Sequence, residues 1–269
     1  MISPLDVWTG LAAVRERGPL VHNLTNYVAM DLSANALLAA GASPAMIHAQ
    51  EEAADFARIA DAVVVNIGTL SPPWVEAMHA AAAVANERAV PWVLDPVGVG
   101  ATPYRTKTAI ELLEQRPTVL RGNASEILAL AGAAEGGKGV DSAHQAADAV
   151  DAARELAGRT AGVVAVTGAS DVITDGTTTV TVHGGHPMMS RITALGCAAS
   201  ALVGAFAAVG DDSLTATVSA LAILGVAGER AATAAPGPGS LRWHILDELH
   251  TLEQRAVEVG VRLTGGDDR

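Results

Sequence analysis

The feature that most constrains the fold is a repeated alternation of short apolar runs with longer helical patterns. Uninterrupted Val, Ile and Leu runs predict strands at Leu20–Leu24, Pro44–His48, Ala62–Ile67, Pro91–Asp95, Thr118–Arg121 and Gly162–Thr167. Segments rich in Ala, Leu and Glu predict the intervening helices at Asn26–Ala40, Glu51–Ile59, Pro72–Asn86, Tyr104–Gln115, Ser125–Ala131 and Ser142–Ala157. Strands without polar breaks are typical of a sheet that is covered on both faces. The pattern therefore predicts an α/β fold, with a mainly parallel central sheet flanked by helices on both faces.

The pattern changes after Thr167. Two short β-like runs, Asp171–Thr174 and Thr178–Val182, flank a turn sequence centred on Asp175-Gly176-Thr177. Asp-Gly between such runs indicates a β-hairpin, which adds antiparallel strands at one edge of the sheet.

The C-terminal part predicts three helices, at Gly196–Val209, Leu214–Ala232 and Ile245–Val259. No Pro- or Ser-rich linker divides the chain, so a single domain over residues 1–269 is expected. Residues 264–269 are polar and contain Gly, which predicts a frayed tail.

Charge and hydropathy exclude several classes of partner. A formal net charge of −12 disfavours binding to nucleic acid, which needs clustered Lys and Arg. The mean hydropathy of +0.31 is high, yet apolar stretches such as Cys197–Gly210 are too short to span a bilayer. We therefore expect no membrane association, and an oligomer whose interfaces bury the excess apolar surface. One cysteine and the lack of a signal-peptide pattern in Met1–Leu20 predict a cytoplasmic location.

Polar or small residues follow almost every predicted strand. They are Asn23 to Asn26, Met46, Asn66 to Thr69, Asp95 to Gly98, Arg121 to Asn123, and Thr167 with Gly168. Ligands of open α/β sheets bind beyond the carboxyl ends of the strands. Acid, amide, hydroxyl and guanidinium groups collected there predict a site for a polar substrate.

Cys197 lies at the start of a predicted apolar helix, directly after Gly196. Free N–H groups and the helix dipole favour an anion there, and they favour the thiolate form of a cysteine. A lone cysteine in an alanine-rich helix is equally consistent with a small buried hydrophobe. Position alone leaves both interpretations open.

Two further segments are candidates for nucleotide or metal motifs. Asn123-Ala124-Ser125-Glu126 has the spacing of a helix capping box. Gly136–Asp141 is rich in Gly but lacks the complete P-loop pattern, so it predicts no Walker site.

Several ordered segments resemble the hydroxyethylthiazole kinase family of ribokinase-like kinases. They are Pro19–Asn26, Gly41–Met46, Asn66–Leu70, Asp95–Thr102, Arg121–Glu126, Thr193–Cys197 and Gly237–Ser240. The family carries Thr-Gly-(small)-Gly-Cys at the start of an apolar helix. Here Ala194 and Leu195 replace the Gly and the small residue, and this departure affects the anion hole because Ala adopts a positive φ only at a cost.

The resemblance implies ATP-dependent phosphorylation of the hydroxyl of 4-methyl-5-(2-hydroxyethyl)thiazole in thiamine salvage, with Mg²⁺ as cofactor. It also implies roles for individual residues: Cys197 beside the substrate hydroxyl as the catalytic group; Met46, Ala194 and Asn26 in substrate binding; Arg121 and Thr167 at ATP; Ala194, Leu195 and Gly196 as the anion hole; and Asp95 and Glu126 at the metal.

The family resemblance further implies a homotrimer with substrate sites at subunit boundaries. Two alternatives stay open at this point. One is a related kinase for another small alcohol, such as a pyrimidine. The other is a catalytically weak or silent protein that binds thiazole or nucleotide, which the Ala194 and Leu195 departures keep in consideration.

Overall fold

A nine-stranded sheet forms the centre of the described part of the chain, residues 2–134 and 145–265 of a computed structural model. The strands are β1 (Leu20–Leu24), β2 (Ser43–Ala45), β3 (Ala62–Asn66), β4 (Trp92–Asp95), β5 (Val119–Asn123), β6 (Val163–Thr167), β7 (Ser170–Thr174), β8 (Thr179–His183) and β9 (Arg262–Gly265). Their spatial order is β2-β1-β3-β4-β5-β6-β7-β8-β9. The first six in this order are parallel and the last three are antiparallel. The predicted α/β class, with antiparallel strands at one edge, is confirmed.

Helices cover both faces of the sheet. They are α1 (Pro4–Arg17), α2 (Met30–Ala40), α3 (Ala53–Ala57), α4 (Pro72–Glu87), α5 (Pro103–Leu113), α6 (Ala124–Ala134), α7 (Gln145–Thr160), α8 (Leu195–Ala207), α9 (Ser213–Ala232), α10 (Pro238–Thr251) and α11 (Gln254–Gly260). One buried cluster joins α1, α2 and α8–α11 to the sheet, and a second joins α3–α7 to the opposite face.

The alternation of side chains along each strand supplies both clusters. Val63 and Val65 of β3 face the α3–α7 side, whereas Val64 between them faces the other side. Successive side chains of a strand point to opposite faces, so a strand buried on both faces must be apolar throughout. This explains why the central strands contain unbroken Val and Leu runs.

Helix α8 packs very close to the sheet. A Cβ atom on Gly204 would lie 2.8 Å from Cγ2 of Val64, a distance at which one of the two must move. The absence of a side chain at Gly204 therefore lets α8 lie close against β3.

Three segments differ from the sequence prediction. The predicted strand Pro44–His48 is only β2, Ser43–Ala45, and the predicted helix Asn26–Ala40 begins at Met30. The predicted helix Ile245–Val259 is wrong, because α10 begins at Pro238 and the extended backbone of Leu252 (φ −58°, ψ 125°) separates it from α11. Proline at the first helical position favours that early start.

Both ends of the chain hold elements that the hydropathy pattern did not predict. Helix α1 carries a capping box between Ser3 and Asp6 and ends at Gly18 in the left-handed region. Strand β9 pairs with β8, so the predicted frayed tail is wrong for Thr264 and Gly265. Residues 266–269, and the Gly136–Asp141 segment, lie outside the described residues.

Helix α9 is long and apolar enough to cross a membrane by composition alone. Its most apolar window has a mean hydropathy of 1.2, but 78% of that window is buried inside the protein. It packs against α1, α8 and α10. Such extensive burial is typical of a helix in the core of a protein.

Buried His22 is expected to make the stability of the fold depend on pH. Burial lowers the pKa of this imidazole to about 4, although its Nε2 bonds the carbonyl oxygen of Ile47 at 2.8 Å. The neutral form is therefore favoured in the fold, while in the unfolded chain His22 binds a proton near its ordinary value of 6.5. Stability conferred by neutral His22 is complete above pH 6.5 and is lost as the pH falls toward 4, by about 3 kcal/mol. His22→Gln removes this loss.

Urea unfolding of wild type and His22→Gln at pH 4 and pH 7 measures the effect. The stability difference between the two proteins should shift in favour of the variant by about 3 kcal/mol between pH 7 and pH 4. All other titrating groups are shared by the two proteins and cancel in this comparison. A difference that does not change with pH would show that His22 titrates normally in the fold.

Candidate active site

The polar residues that end the parallel strands meet at one edge of the sheet. Asn66 and Asp95 are register partners at the ends of β3 and β4, and Asn123 and Thr167 are register partners at the ends of β5 and β6. Helix α8 begins above this edge. The topology thus brings together residues that are far apart in the sequence.

A hydrogen-bond chain joins Cys197 to Asp95. Asn26 Nδ2 donates to Cys197 Sγ at 3.3 Å and to Asn66 Oδ1 at 2.9 Å. Asn66 Nδ2 donates to Asp95 Oδ2 at 2.7 Å, and Ser200 Oγ donates to the same oxygen at 2.8 Å. Asn26, Asn66, Asp95 and Ser200 are all buried.

Backbone N–H groups set the orientation of both amides in this chain. Ala29 N donates to Asn26 Oδ1 at 3.0 Å, and Gly68 N donates to Asn66 Oδ1 at 2.9 Å. An amide held by its oxygen must present its Nδ2 on the other side. Asn26 therefore offers an N–H group to the sulfur of Cys197, which acts as the acceptor.

Asp95 is completely buried, and its two carboxylate oxygens differ in their hydrogen bonds. Burial raises its pKa to about 6, against the lowering effects of the Arg121 guanidinium and of the bonds from Ser200 and Asn66. Among the described residues, Asp95 Oδ1 has no hydrogen-bond partner. A buried carboxylate oxygen without a partner is costly unless a ligand satisfies it.

Cys197 is the third residue of α8 and is half-buried. Burial, followed by the negative charge of Asp95, raises the pKa of its thiol despite the Asn26 hydrogen bond. A helix start favours the thiolate form, whereas burial favours the neutral thiol. The raised pKa favours the thiol form of Cys197 at neutral pH.

Arg121 lies across the start of α8. A Cβ atom on Gly196 would stand 2.9 Å from Nη1 of Arg121, so the glycine makes room for the guanidinium. Arg121 and Thr167 line one cleft of about 650 Å³, together with Asn123, Gly168 and Gly196. A cation, a hydroxyl and a helix start facing one cleft are groups that suit phosphate oxygens.

The first turn of α8 has free N–H groups. Its N-terminal cap is Ala194, whose side chain makes no capping bond. The first N–H groups of a helix have no partner within the helix. Leu195 N donates to Ile192 O over a long 3.5 Å, whereas no bond is formed by the N–H groups of Gly196 and Cys197 within the described residues. These two N–H groups are thus available to an anion, and the Leu195 side chain is buried in the core.

Ala194 adopts the left-handed conformation, with φ 64° and ψ 4°. In the part of the chain that the structure describes, the other non-glycine residues with positive φ are Ala89, Arg116 and Ala161. They come just after helices, where this conformation is common. Ala194 instead precedes a helix, where extended backbone is usual. It thus takes the shape that a glycine would take, at a cost of about 1 kcal/mol.

Ala194→Gly is therefore expected to leave turnover within about threefold, because the backbone already has the glycine-like conformation. Stability should rise by no more than about 1 kcal/mol, since relief of strain is offset by the freedom of glycine in the unfolded chain. Initial rates and urea unfolding check both, and Ala161→Gly is the matched control at a helix end. A tenfold gain in turnover would show that Ala194 distorts the anion site.

Both carboxylate oxygens of Glu126 accept backbone hydrogen bonds. Its Oε2 accepts from Asn123 N at 2.9 Å and its Oε1 accepts from Gly98 N at 2.9 Å, while Asn123 Oδ1 accepts from Glu126 N at 3.0 Å. The capping box predicted at Asn123–Glu126 is thus formed. Each carboxylate oxygen keeps a second lone pair, and the Glu126 charge is near enough to raise the pKa of Asp95.

These two carboxylates fit a divalent cation of the magnesium type. Mg²⁺ is commonly held by one or two carboxylates, with waters and substrate phosphates as the other ligands. Asp95 supplies a buried unpartnered oxygen, and Glu126 supplies a rigidly held one. No group of three or more His, Cys, Asp or Glu suited to a metal occurs in the described residues, so an all-protein cage is not formed there.

Met46, predicted to contact the substrate, takes no part in the hydrogen-bond chain of the described residues. It follows β2, which pairs with β1, and it is half-buried. Tyr27, His48 and Trp74 form an aromatic cluster, with ring centroids of Trp74 and Tyr27 4.8 Å apart and those of Trp74 and His48 4.6 Å apart. Tyr27 and Val28 are 66% and 63% exposed, so apolar surface adjoins Asn26.

Sequence reasoning assigned no role to Asn66 or Ser200. Asn66 was visible as one polar strand end among several. Ser200 follows Cys197 by three residues, so the two share a face of α8. A single serine in an otherwise apolar helix start was the available signal, but its partner Asp95 is 105 residues away.

Comparisons with known proteins point to one family over most of the chain. The profile of the Hydroxyethylthiazole kinase family matches residues 11–255. A protein of Oleidesulfovibrio alaskensis described as hydroxyethylthiazole kinase is 55% identical over 258 residues, which are 96% of this chain and 97% of that protein.

Solved structures agree with this result. The hydroxyethylthiazole kinase of Pyrococcus horikoshii OT3 is 43% identical, with a TM-score of 0.91 that covers 97% of this chain and 99% of that chain. The pyridoxal kinase of Staphylococcus aureus in complex with ADP is 19% identical, with a TM-score of 0.59 over 78% of this chain and 88% of that chain. The latter likeness shows the shared ribokinase-like fold alone.

Proposed function

Because the chain belongs to the hydroxyethylthiazole kinase family, we propose that it transfers the γ-phosphoryl group of ATP to the hydroxyl of 4-methyl-5-(2-hydroxyethyl)thiazole, a step of thiamine salvage. The observation that carries the proposal is that two groups of polar residues adjoin the start of α8. The thiol of Cys197 and Asn26 lie on one side, and the cleft lined by Arg121 and Thr167 lies on the other.

The phosphate side neutralises and orients the donor. Arg121 presents a planar guanidinium that can bond two phosphate oxygens, and Thr167 supplies a hydroxyl from the end of β6. Asp95 and Glu126 would hold Mg²⁺, which supplies neutralisation of the phosphate charge when bound. The N–H group of Gly196, which follows the left-handed Ala194, would bind the transferring phosphoryl group, and that of Leu195 would join it by exchanging its long bond to Ile192 O.

The alcohol side positions the acceptor. Asn26 holds Cys197 through an N–H···S bond, which leaves the S–H hydrogen directed away from Asn26. We assign Cys197 an orienting role toward the substrate hydroxyl, since its raised pKa keeps the proton on sulfur. Met46 would shape the thiazole pocket, because a soft thioether packs well against an aromatic heterocycle.

The assembly and location are also part of the proposal. We propose a cytoplasmic homotrimer with substrate sites at subunit boundaries. The exposed Tyr27 and Val28, next to Asn26, support it, because a neighbouring subunit would cover this apolar surface. Light scattering at micromolar concentration tests the assembly, and a monomer would contradict it.

Release of ADP from purified protein with Mg-ATP, measured with and without the thiazole, tests the activity. The proposal requires thiazole-dependent ADP release and a phosphorylated thiazole product identified by mass spectrometry. Thiazole binding without turnover would instead indicate a silent binding protein. Turnover of a pyrimidine alcohol, with none of the thiazole, would indicate a related kinase.

A further inference from the structure

Helix α8 contains one serine in a strongly apolar environment. Ser200 is 0% exposed, and residues 198–207 of this helix are all buried. A buried hydroxyl is unfavourable unless it is hydrogen-bonded. Ser200 Oγ donates to Asp95 Oδ2 at 2.8 Å, whereas its distance of 3.5 Å to Gly196 O makes that alternative weak.

The bond from Ser200 divides the oxygens of Asp95 into two kinds. Oδ2 accepts from both Ser200 and Asn66, and Oδ1 is left without a partner among the described residues. Two donors on one oxygen fix the rotation of the carboxylate about its last bond. The free oxygen therefore has one preferred direction, and Ser200 is one of the two groups that set it.

Resting on the proposed function, we infer that Ser200 is a positioning residue for phosphoryl transfer. It holds Asp95 Oδ2 so that Oδ1 stays aimed at the cation that accompanies the nucleotide. Cys197 and Ser200 lie three residues apart on one face of α8. A single helix turn thereby aligns the acceptor side of the site through Cys197 and the cation side through Ser200.

The branch toward the acceptor is independent of Ser200. Asn66 is held by Gly68 N as well as by Asp95, and Asn26 is held by Ala29 N. Loss of the Ser200 hydroxyl therefore leaves the Asn26–Cys197 contact in place. The inference requires a fall in kcat and weaker cation binding, with the KM for the alcohol unchanged.

Ser200→Ala tests this requirement. We expect kcat to fall about tenfold, the Mg²⁺ concentration for half-maximal rate to rise at least threefold, and the thiazole KM to change less than twofold. Binding of Mn²⁺ in the presence of ADP, followed by electron paramagnetic resonance, gives a readout without turnover, and its Kd should rise at least threefold. Unchanged kcat and Mn²⁺ affinity, or a raised thiazole KM alone, would overturn the inference.

Ser219→Ala is the matched control. Ser219 is a buried serine of the adjacent helix α9, 1% exposed, and its Oγ has no partner among the described residues. Its replacement should leave kcat and Mn²⁺ binding unchanged. Ser200→Cys keeps a γ atom at the position of the hydroxyl but donates poorly, so it should share the defect of Ser200→Ala and serves if the alanine variant does not fold. Wild-type turnover tests the proposed function separately.

Discussion

Replacement of Asp95 by asparagine is expected to lower kcat for thiazole phosphorylation by about 10³-fold, the size of effect seen when an electrostatic group of a reaction centre is removed. The amide would keep an oxygen for Ser200 and Asn66 but would replace the negatively charged, unpartnered Oδ1 with a neutral group. Initial rates at saturating ATP and thiazole measure the loss. A decrease of less than tenfold would remove Asp95 from the reaction centre.

The same substitution should stabilise the protein in the absence of divalent cations. The folded state binds the proton of Asp95 more tightly than the unfolded state does, with pKa values of about 6 and 3.8. The cost of the buried charge is therefore absent below pH 3.8 and complete above pH 6, where it reaches about 3 kcal/mol. Relative to wild type, Asp95→Asn should gain about 2 kcal/mol in free energy of unfolding between pH 4 and pH 7.

Glu126→Gln is the matched comparison for Asp95→Asn. Both remove one carboxylate charge from the proposed cation site. The Glu126 oxygens accept two backbone N–H groups, and an amide in its place can accept only one of them. Glu126→Gln should therefore lower activity and also destabilise the protein by about 1 kcal/mol. A gain in stability for both variants would indicate that charge repulsion, rather than burial of Asp95, dominates.

Arg121→Ala is expected to lower kcat/KM for ATP by about 10²-fold while leaving the thiazole KM within twofold. One or two charge-assisted hydrogen bonds to phosphate are lost, each worth about 1.5–3 kcal/mol. Arg121→Lys should recover only part of the loss, because an ammonium group cannot bond two phosphate oxygens in a fork. Initial rates over a range of ATP concentrations measure these constants.

Two controls accompany the Arg121 variants. Gly196→Ala retains the arginine but puts a Cβ atom 2.9 Å from Nη1 of Arg121. The guanidinium must then shift, so the KM for ATP should rise several-fold. Arg58→Ala removes an arginine from exposed ion pairs with Asp55 and Glu87 and should change neither constant. An equal loss in the Arg58 variant would mean that overall charge, rather than the position of Arg121, supports ATP use.

Local sequence patterns determined the architecture well. Unbroken apolar strands required a sheet covered on both faces, and Asp175-Gly176 marked the hairpin between β7 and β8. Patterns of this kind work because the strand and helix periods are local properties. Short or weakly patterned elements were missed: β9 and the break at Leu252 depend on packing at the edge of the sheet and around α9.

The candidate site also has features that the sequence predicted and features that only the tertiary structure revealed. The sequence by itself placed Asn26, Asp95, Arg121 and Thr167 at strand ends, and the order of its motifs identified the family. Only the tertiary structure showed that Cys197 is buried beside Asp95, and this environment raises the pKa of its thiol. It also decided that Ala194 is left-handed and that Ser200 bonds Asp95 across 105 residues. Desolvation and long-range hydrogen bonds depend on what the rest of the chain packs around a residue, and no local pattern encodes that.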